Sequence, residues 1–324
     1  MFRNRKKVLS TAIVLLMAIA LVGVNALAIA GSDVYIVKPG DTLGKIAKQY
    51  GLDWKKLAEI NKLKNPHLIF PGDKIVLTDY TTKDLNEQLV MATSWVQNSA
   101  EYRALCYQAF NLAKMILDND LATNTSTEKR AIIVDIDETV LDNSAYEAHL
   151  IGKDYGYSSK TWNPWMAEGI AEPIPGAVEF LNYAADKGVE VFYISNRKMV
   201  GFEGTLKNLK EKGFPFADKE HIMLRTAESS KKARREKVDE NYRIVLLMGD
   251  NLNDFSEVFE KKSIQDRFAV TDEYKDYFGT KFIVLPNPMY GEWEGAIYNY
   301  NWGASAKEKN EMRKRNLRVW NFEN

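Results

Sequence analysis

Short apolar runs alternate with stretches of helical spacing between residues 130 and 285. The runs are Ile132–Val134, Val189–Ile194, Arg243–Met248 and Phe282–Leu285, with His221–Leu224 as a further candidate. Each run is short and rich in β-branched or aromatic residues, which predicts a buried strand. Strands that alternate with helices predict a mostly parallel sheet, and therefore an α/β fold.

Apolar residues at three- and four-residue steps predict helices before and between these strands. The longest pattern runs from Lys83 to Asp120, and shorter ones run from Pro175 to Asp186 and from Glu203 to Glu211. The stretch between residues 142 and 175 is instead rich in aromatic residues, namely Tyr146, Tyr155, Tyr157, Trp162 and Trp165. We treat this stretch as an insertion between the first strand and the next helix.

Residues 34–77 show a separate pattern. Val34–Val37 predicts a strand, Thr42 can cap a helix that continues to Tyr50, a second helix is predicted from Trp54 to Asn61, and Lys74–Leu77 predicts a second strand. This order predicts a small βααβ module. At 324 residues, the chain is long enough for the module and a larger domain.

The first 30 residues predict export. Basic residues at positions 3, 5, 6 and 7 precede an apolar run from Val8 to Ala30. This order is typical of a secretory signal peptide, with cleavage expected after Ala28 or Ala30. The alternative is an uncleaved membrane anchor, since about 20 apolar residues can span a bilayer. No cysteine follows the run to carry a lipid, and the single cysteine, Cys106, is expected to be a small core side chain.

Charge and composition exclude several classes of protein. The 44 basic and 44 acidic residues give a net charge of zero with no basic half, so no nucleic-acid polymer is expected as a partner. The three histidines, His67, His149 and His221, are scattered along the chain. They form neither a serine-hydrolase triad nor the histidine and cysteine spacing of a zinc site.

Two of the predicted strands end in acidic residues. Asp135 and Asp137 follow the first strand, and residues i and i+2 of a strand share a face, so both can point to one place beyond it. Asp250 and Asp254 follow the strand that begins at Arg243. Neighbouring carboxylates repel each other, and Mg²⁺ prefers oxygen ligands. We therefore expect a Mg²⁺ site at the carboxyl ends of the strands.

Further polar residues supply what phosphoryl transfer requires. Ser195 and Asn196 follow another strand and can hold phosphate oxygens, while a basic cluster offers Lys231 or Lys232. Arg197 can neutralise phosphate, although such an arginine is more often a surface or supporting group. A carboxylate nucleophile, an acid–base group, hydrogen-bond donors, a lysine and a metal are together sufficient for this chemistry.

The order of these motifs resembles the haloacid dehalogenase (HAD) superfamily of phosphotransferases. Residues 134–146 (VDIDETVLDNSAY) and 245–255 (VLLMGDNLNDF) are similar to the two signatures of class C, lipoprotein-type bacterial acid phosphatases, and the resemblance covers roughly residues 85–300. It implies a Rossmann-like three-layer parallel sheet with the aromatic-rich insertion as a cap over the site. It also implies a phosphoric monoester hydrolase acting on nucleoside monophosphates or aryl phosphates.

The resemblance implies a role for each acidic residue. Asp135 would be the nucleophile that becomes an aspartyl-phosphate. Asp137 would be the general acid for the leaving group and then the base for water. Asp250, Asp135 and the main-chain carbonyl of Asp137 would hold Mg²⁺, and Asp254 would support the metal or the lysine.

The resemblance also bears on the lysine and on the substrate. The S-x-K-x-x-R spacing that begins at Ser229 fits the family and favours Lys231 over Lys232 as the lysine that pairs with phosphate. Trp162 and Tyr290 could stack on a nucleobase or an aryl group of the substrate. The alternative is that both aromatic residues pack the cap.

The N-terminal module resembles a LysM (lysin motif) domain. The matching residues are Y-x-V-x-x-G-D-T-L-x-x-I-A from Tyr35, then Asn61, then I-x-P-G-D-x-I from Ile69. LysM domains bind glycans that contain N-acetylglucosamine, which implies peptidoglycan as the partner and a groove around residues 40–43 and 65–70. The alternative is a spacer that has lost binding.

The chain is thus predicted to contain an export segment and two domains. The chain would have a signal peptide or anchor at 1–30, a LysM domain at 33–78, a linker at 79–84 and an acid phosphatase domain at 85–324. It would be an exported, cell-wall-associated, Mg²⁺-dependent acid phosphatase or 5′-nucleotidase. The alternatives are a catalytically silent peptidoglycan-binding protein and a phosphotransferase to an alcohol, which would use the same aspartyl-phosphate.

Overall fold

A computed structural model of the protein describes residues 34–78, 80–320 and 322. These residues fall into two compact units, one of residues 34–81 with 303–309 and one of residues 82–302 with those from 310 onwards. The predicted signal peptide or anchor at 1–30 lies outside the described residues, as does Asp79 in the predicted linker. Within the described ranges, every helix is too short or too polar to cross a membrane.

The small unit has the predicted order of strand, helix, helix and strand. Its elements are β1 (Val34–Ile36), α1 (Leu43–Gln49), α2 (Trp54–Ile60) and β2 (Lys74–Val76). The two strands pair antiparallel. Thr42 and Asp53 cap the helices by accepting hydrogen bonds from first-turn amides. The side chain of Asn61 bonds the main-chain N (2.7 Å) and O (2.8 Å) of Val76, which fixes β2 to the end of α2.

The large unit alternates strands with helices after an N-terminal helical segment. Its elements are α3 (Thr82–Asn86), α4 (Leu89–Asn98), α5 (Ala100–Thr123), β3 (Arg130–Val134), β4 (Leu141–Asp142), α6 (Ser144–Leu150), α7 (Ser159–Glu168), β5 (Glu172–Pro173), α8 (Ala177–Asp186), β6 (Glu190–Lys198), α9 (Phe202–Glu211), β7 (Ile222–Arg225), α10 (Lys232–Asp239), β8 (Arg243–Gly249), α11 (Ile264–Glu273), β9 (Phe282–Val284) and α12 (Glu292–Ile297). The last helix, α13 (Ala306–Arg315), begins in the residues of the small unit and ends in those of the large unit. The helix predicted from 83 to 120 is broken because Ser99 is extended and caps α5.

A five-stranded sheet in the order β7-β6-β3-β8-β9 forms the centre of this unit, and all its neighbouring strands are parallel. Side chains alternate between its faces: Ile132 and Val134 of β3 belong to one apolar core, and Ala131 and Ile133 to another. The sheet is therefore buried on both sides, and the predicted three-layer α/β fold class is confirmed.

The aromatic-rich insertion folds as a substructure of its own. The two-residue strands β4 and β5 pair antiparallel at its base, and α6 and α7 lie between them. Tyr146, Leu150, Trp162 and Met166 form its small apolar core. We call residues 143–171 the cap.

Strand β6 is longer than predicted. We expected it to end at Ile194, but it continues through Lys198. Its side chains keep alternating, so Ser195 and Arg197 are buried and Asn196 is exposed. The pairing with β7 shifts register between Ser195 and Lys198, which lets the strand continue past the sheet's edge.

Candidate active site

Three adjacent strands place their polar residues at one edge of the sheet. Val134 of β3 is level with Tyr193 of β6 and with Met248 of β8. The amide of Asp135 continues this ladder by donating to the carbonyl oxygen of Met248 at 2.9 Å. The residues that follow on β6 and β8 therefore meet Asp135 at the carboxyl ends of the strands, where open α/β sheets bind their ligands.

Asp135, Asp250 and Asp254 form an acidic cluster in which one carboxylate oxygen of each lies within 4.8 Å of the others. Asp135 and Asp254 are buried and Asp250 is half-buried. Gly249 allows this approach, since a Cβ there would lie 2.3 Å from Oδ2 of Asp254. The amide of Asn251 donates to the same Oδ2 at 3.0 Å and fixes its position.

Lys231 lies inside the cluster. Its Nζ contacts Oδ1 of Asp135 and lies 2.7 Å from Oδ1 of Asp254, and its side chain is only 5% exposed. The neighbouring Lys232 is 51% exposed and pairs with Glu257 at 2.7 Å. Of the two candidate lysines, the structure thus brings Lys231 to the carboxylates and puts Lys232 at the surface.

The cluster holds more negative charge than Lys231 neutralises. Burial raises the pKa of Asp135 to about 7, against the opposing effect of Lys231. Burial, followed by Asp254 and Asp135, also raises the pKa of Asp250. Burial disfavours the charge on Lys231 as well, but the two carboxylates outweigh it and raise the pKa of Lys231. Three ionised carboxylates and one ammonium leave two negative charges, which one divalent cation with a preference for oxygen ligands would balance.

Asp137 is held by a different set of groups. Its Oδ1 accepts hydrogen bonds from Nε of Arg197 and Nδ2 of Asn143, both at 2.9 Å, and its Oδ2 accepts from Oγ of Ser195 at 3.3 Å. Arg197 is buried and also donates to Thr205. Arg197 therefore supports Asp137, in agreement with the expectation that such an arginine is more often a supporting group than a phosphate ligand.

Arg234 fixes the end of β6. Its guanidinium donates to the carbonyl oxygen of Ser195 at 2.6 Å and to Oδ1 of Asn196 at 2.7 Å. The hydroxyl of Ser195 is fully buried and faces Asp137. Because Oδ1 of Asn196 is occupied, its amide nitrogen remains as a donor at the exposed side of the strand.

Two residues that we did not predict hold Asp250. Oγ1 of Thr139 lies 3.3 Å from Oδ1 of Asp250 and accepts from its amide at 3.1 Å. Nδ2 of Asn287 donates to Oδ2 of Asp250 at 2.9 Å. A signal for Asn287 was present, since it lies two residues beyond the predicted strand Phe282–Leu285 and the carboxyl ends of parallel strands meet at one edge.

Glu138 is a second residue that we missed. It is 1% exposed and adopts a left-handed backbone with φ of 56°, which is rare outside glycine. Its carboxylate accepts from the amide of Asn143 at 2.8 Å and from the hydroxyl of Tyr290. Burial, and then the charge of Asp137, raise the pKa of Glu138. Glu138 therefore fixes the turn that carries Asp137.

The two predicted substrate aromatics lie in packed positions. Trp162 is 8% exposed, and its ring packs edge-on against Tyr146 with centroids 4.8 Å apart. The guanidinium of Arg197 lies 5.7 Å from the same ring. Tyr290 is half-buried, with its hydroxyl on Glu138. This placement favours the alternative that Trp162 packs the cap.

A buried lysine between carboxylates at the ends of parallel strands is typical of enzymes that transfer phosphoryl groups on an α/β scaffold. The family model described as HAD superfamily, subfamily IIIB (Acid phosphatase) matches residues 72–293, and the chain belongs to this family. A LysM domain matches residues 35–78. These matches confirm the predicted family, the LysM domain and the class of enzyme, a phosphoric monoester hydrolase.

Solved structures agree with this assignment. The class C acid phosphatase from Bacillus anthracis is 45% identical, covers 73% of this chain and 99% of its own, and has a TM-score of 0.70. A structure of the class C acid phosphatase from the same organism with tungstate bound is 44% identical, with the same coverage and TM-score.

Curated relatives match shorter stretches. An uncharacterized protein from Deinococcus radiodurans is 50% identical over 48 residues, which is 14% of this chain and 19% of the relative. The N-acetylmuramoyl-L-alanine amidase sle1 of Staphylococcus epidermidis is 45% identical over 49 residues, 15% of each chain. This chain thus spans less than a fifth of the length of these two relatives.

Proposed function

We propose that the protein is a Mg²⁺-dependent phosphomonoesterase that works through an aspartyl-phosphate on Asp135. The observation that carries this proposal is the contact of Asp135 with buried Lys231 inside a cluster of three carboxylates. The Bacillus anthracis relative described with tungstate bound also supports it, since tungstate is a tetrahedral oxyanion like phosphate. Residues Asp135, Asp250 and Asp254, with the main-chain carbonyl of Asp137, would hold the cation, which would neutralise charge on the phosphoryl oxygens.

In the first step, a carboxylate oxygen of Asp135 attacks phosphorus. An O–P bond to Asp135 forms as the bond from phosphorus to the leaving-group oxygen breaks. Lys231 neutralises the attacking carboxylate and pairs with a phosphoryl oxygen, while the Asn196 amide and the Ser195 hydroxyl are donors for the others. The reaction depends on positioning and charge neutralisation, which a buried, hydrogen-bonded site provides.

Asp137 moves the proton. Its Oδ1 is occupied by Arg197 and Asn143, whereas within the described residues Oδ2 receives only the Ser195 hydroxyl. A hydroxyl can turn and accept instead of donate, so Oδ2 is the oxygen that can carry a proton to the leaving group. In the second step, the same oxygen takes a proton from water as the water attacks phosphorus and releases phosphate from Asp135.

Phosphate release from phenyl phosphate at mildly acid pH tests this proposal. We would compare the purified protein with Mg²⁺ and with EDTA, and compare Asp135→Asn with Asp239→Asn, which changes an exposed aspartate at the end of α10. We expect Mg²⁺-dependent turnover that Asp135→Asn lowers by more than about a thousandfold and Asp239→Asn leaves intact. Full activity of Asp135→Asn would refute the nucleophile. No turnover under any condition would favour the silent wall-binding alternative.

We also propose that the protein is exported and that its LysM domain binds peptidoglycan. Leu68 and Phe70, in the predicted groove segment, are 59% and 63% exposed and offer apolar surface to glycan rings. The relation to a cell-wall amidase supports this partner. In cosedimentation with purified cell walls, we expect Phe70→Ser to weaken binding, while Met115→Ser on α5, at 68% exposure, does not. Equal binding by both variants would contradict the proposed groove.

A further inference from the structure

Asn143 is the first residue of the cap, and its side chain joins the cap to Asp137. It is fully buried and directly precedes α6. Asparagine at this position commonly caps a helix with its own side chain. Here its main-chain carbonyl oxygen accepts from the amides of Tyr146 and Glu147, whereas among the described residues its side chain makes no capping hydrogen bond. The side-chain amide of Asn143 is therefore available for other contacts.

All four hydrogen-bonding positions of this side-chain amide are used at the active site. Its Nδ2 donates to Oδ1 of Asp137 at 2.9 Å and to Oε2 of Glu138 at 3.3 Å. Its Oδ1 accepts from Nε1 of Trp165 at 2.9 Å and from Nη2 of Arg197 at 3.2 Å. An asparagine amide has two N–H donors and two lone pairs on its oxygen, so the buried group is fully satisfied.

The two donors determine which way the amide of Asn143 faces. The indole N–H of Trp165 and the guanidinium of Arg197 can only donate, so each of them requires an oxygen. An amide turned by half a rotation would place its NH₂ group against these two donors and its oxygen against two carboxylates. The orientation in which the amide donates to Asp137 is therefore the one that satisfies all four partners.

Two tryptophans bring the cap into this arrangement. Trp165 of α7 is half-buried and packs against both the small core of the cap and the larger core beside the sheet. The ring of Trp162 lies 5.7 Å from the guanidinium of Arg197. Asn143 and Arg197, which both donate to Oδ1 of Asp137, therefore each contact a tryptophan of the cap.

We propose that Asn143 is a positioning residue for proton transfer by Asp137, and that Trp165 of the cap holds the Asn143 amide in the required orientation. This inference rests on the proposed phosphomonoesterase function and adds to it a role for the cap, which fixes the general acid. With Oδ1 of Asp137 accepting two hydrogen bonds, Oδ2 carries the proton that passes to the leaving-group oxygen as the bond from that oxygen to phosphorus breaks. A reacting group displaced by about 1 Å can lose about a hundredfold in rate.

The test uses two aryl esters that differ in how much the leaving group needs a proton. Phenolate leaves poorly unless it is protonated, whereas 2,4-dinitrophenolate leaves readily as the anion. We would measure kcat/KM for phenyl phosphate and for 2,4-dinitrophenyl phosphate with Mg²⁺, using the full chain. This ratio reports the steps up to loss of the leaving group, so the later hydrolysis of the aspartyl-phosphate does not affect it.

Two variants remove different parts of the arrangement. Asn143→Ala removes the amide, whereas Trp165→Phe removes the indole N–H and keeps a ring in the two cores. For phenyl phosphate, we expect kcat/KM to fall by about a hundredfold in Asn143→Ala and about tenfold in Trp165→Phe. For 2,4-dinitrophenyl phosphate, both losses should be less than about threefold, because its leaving group does not depend on the general acid.

Asn208→Ala is the matched control. Asn208 is a buried asparagine of α9 whose side chain accepts from the amide of Ala171 at 3.1 Å and donates to its carbonyl oxygen at 2.9 Å. It therefore holds the other end of the cap and, within the described residues, is not bonded to Asp137. Any loss of kcat/KM in Asn208→Ala should be equal for the two esters.

The possible outcomes distinguish this inference from the proposed function. Turnover by the wild type, with equal losses on both esters or no loss in Asn143→Ala and Trp165→Phe, would overturn the positioning role and leave the phosphomonoesterase intact. A selective loss in Asn208→Ala would also overturn it, since any buried contact of the cap would then have the same effect. If the wild type hydrolyses neither ester, both proposals fail together.

The two variants also test the two parts of the inference separately. A selective loss in Asn143→Ala without one in Trp165→Phe would overturn the role of the cap. Turnover of 2,4-dinitrophenyl phosphate by each variant shows that it is folded. If Asn143→Ala does not fold, the result for Trp165→Phe decides, because that variant keeps the packing of the ring.

Discussion

The adjacent lysines Lys231 and Lys232 allow one substitution to be compared at a buried and at an exposed position. Lys231 is 5% exposed and contacts Asp135 and Asp254, whereas Lys232 is 51% exposed and pairs with Glu257. Replacing each with methionine keeps most of the side-chain volume and removes the charge. The two variants should therefore differ mainly because the ammonium group of Lys231 neutralises buried carboxylates, whereas that of Lys232 neutralises an exposed one.

The expected magnitudes differ strongly. Removing one partner of a buried ion pair costs about 3–5 kcal/mol, because the other charge is left buried without compensation. Lys231→Met leaves the carboxylates of Asp135 and Asp254 buried without a compensating charge. We therefore expect the free energy of unfolding to fall by at least about 3 kcal/mol without divalent cations. Lys232→Met breaks an exposed pair and should cost about 0–1 kcal/mol. Loss of charge stabilisation in the transition state should also lower kcat/KM of Lys231→Met by about a hundredfold or more.

Urea unfolding followed by circular dichroism, in EDTA at neutral pH, gives the stability of both variants. Phosphate release from phenyl phosphate with Mg²⁺ gives their activity. If Lys231→Met were as stable and as active as Lys232→Met, then Lys231 would not neutralise Asp135, and the charge balance derived for the cluster would be wrong.

Burial raises the pKa of Glu147 to about 7 from its ordinary 4.5, so its contribution to stability is complete below pH 4.5 and is lost as pH rises through 7. In urea unfolding, the free energy of unfolding of Glu147→Gln should therefore exceed that of the wild type by up to about 3 kcal/mol at about pH 8 and by little at about pH 4.5. The exposed control Glu101→Gln should not raise the free energy of unfolding at either pH. An equal gain of Glu147→Gln at both pH values would contradict the assignment. Gly249→Ala would place a Cβ 2.3 Å from Asp254, so phosphate release should fall by at least about tenfold, whereas Gly44→Ala meets open space and should keep its activity. Unchanged activity of Gly249→Ala would show that the position of Asp254 is not critical.

The sequence was informative where local pattern and topology act together. The apolar runs identified β3 and β8, and parallel pairing then required Asp135 and Asp250 to meet at one edge. The sequence also predicted that Ser195 lies near Asp135 and Asp250, because it follows another strand. In the structure that strand, β6, continues past Ser195. These residues are close in space because each follows a strand of the same sheet.

Other contacts depend on how distant segments pack. Arg197 reaches Asp137 across 60 residues of sequence, and Trp162 is buried because the cap folds around it. Periodicity in the sequence does not predict where either side chain lies.

In the proposed mechanism, phosphate becomes covalently attached to Asp135 during turnover. The most direct measurement is an acid quench of the Mg²⁺-loaded protein during steady-state hydrolysis of phenyl phosphate, followed by peptide mass spectrometry. We expect one added phosphoryl group on the peptide that contains Asp135, at substoichiometric occupancy, and none in Asp135→Asn. Continued turnover with no phosphorylated peptide, or a phosphoryl group on another residue, would contradict it.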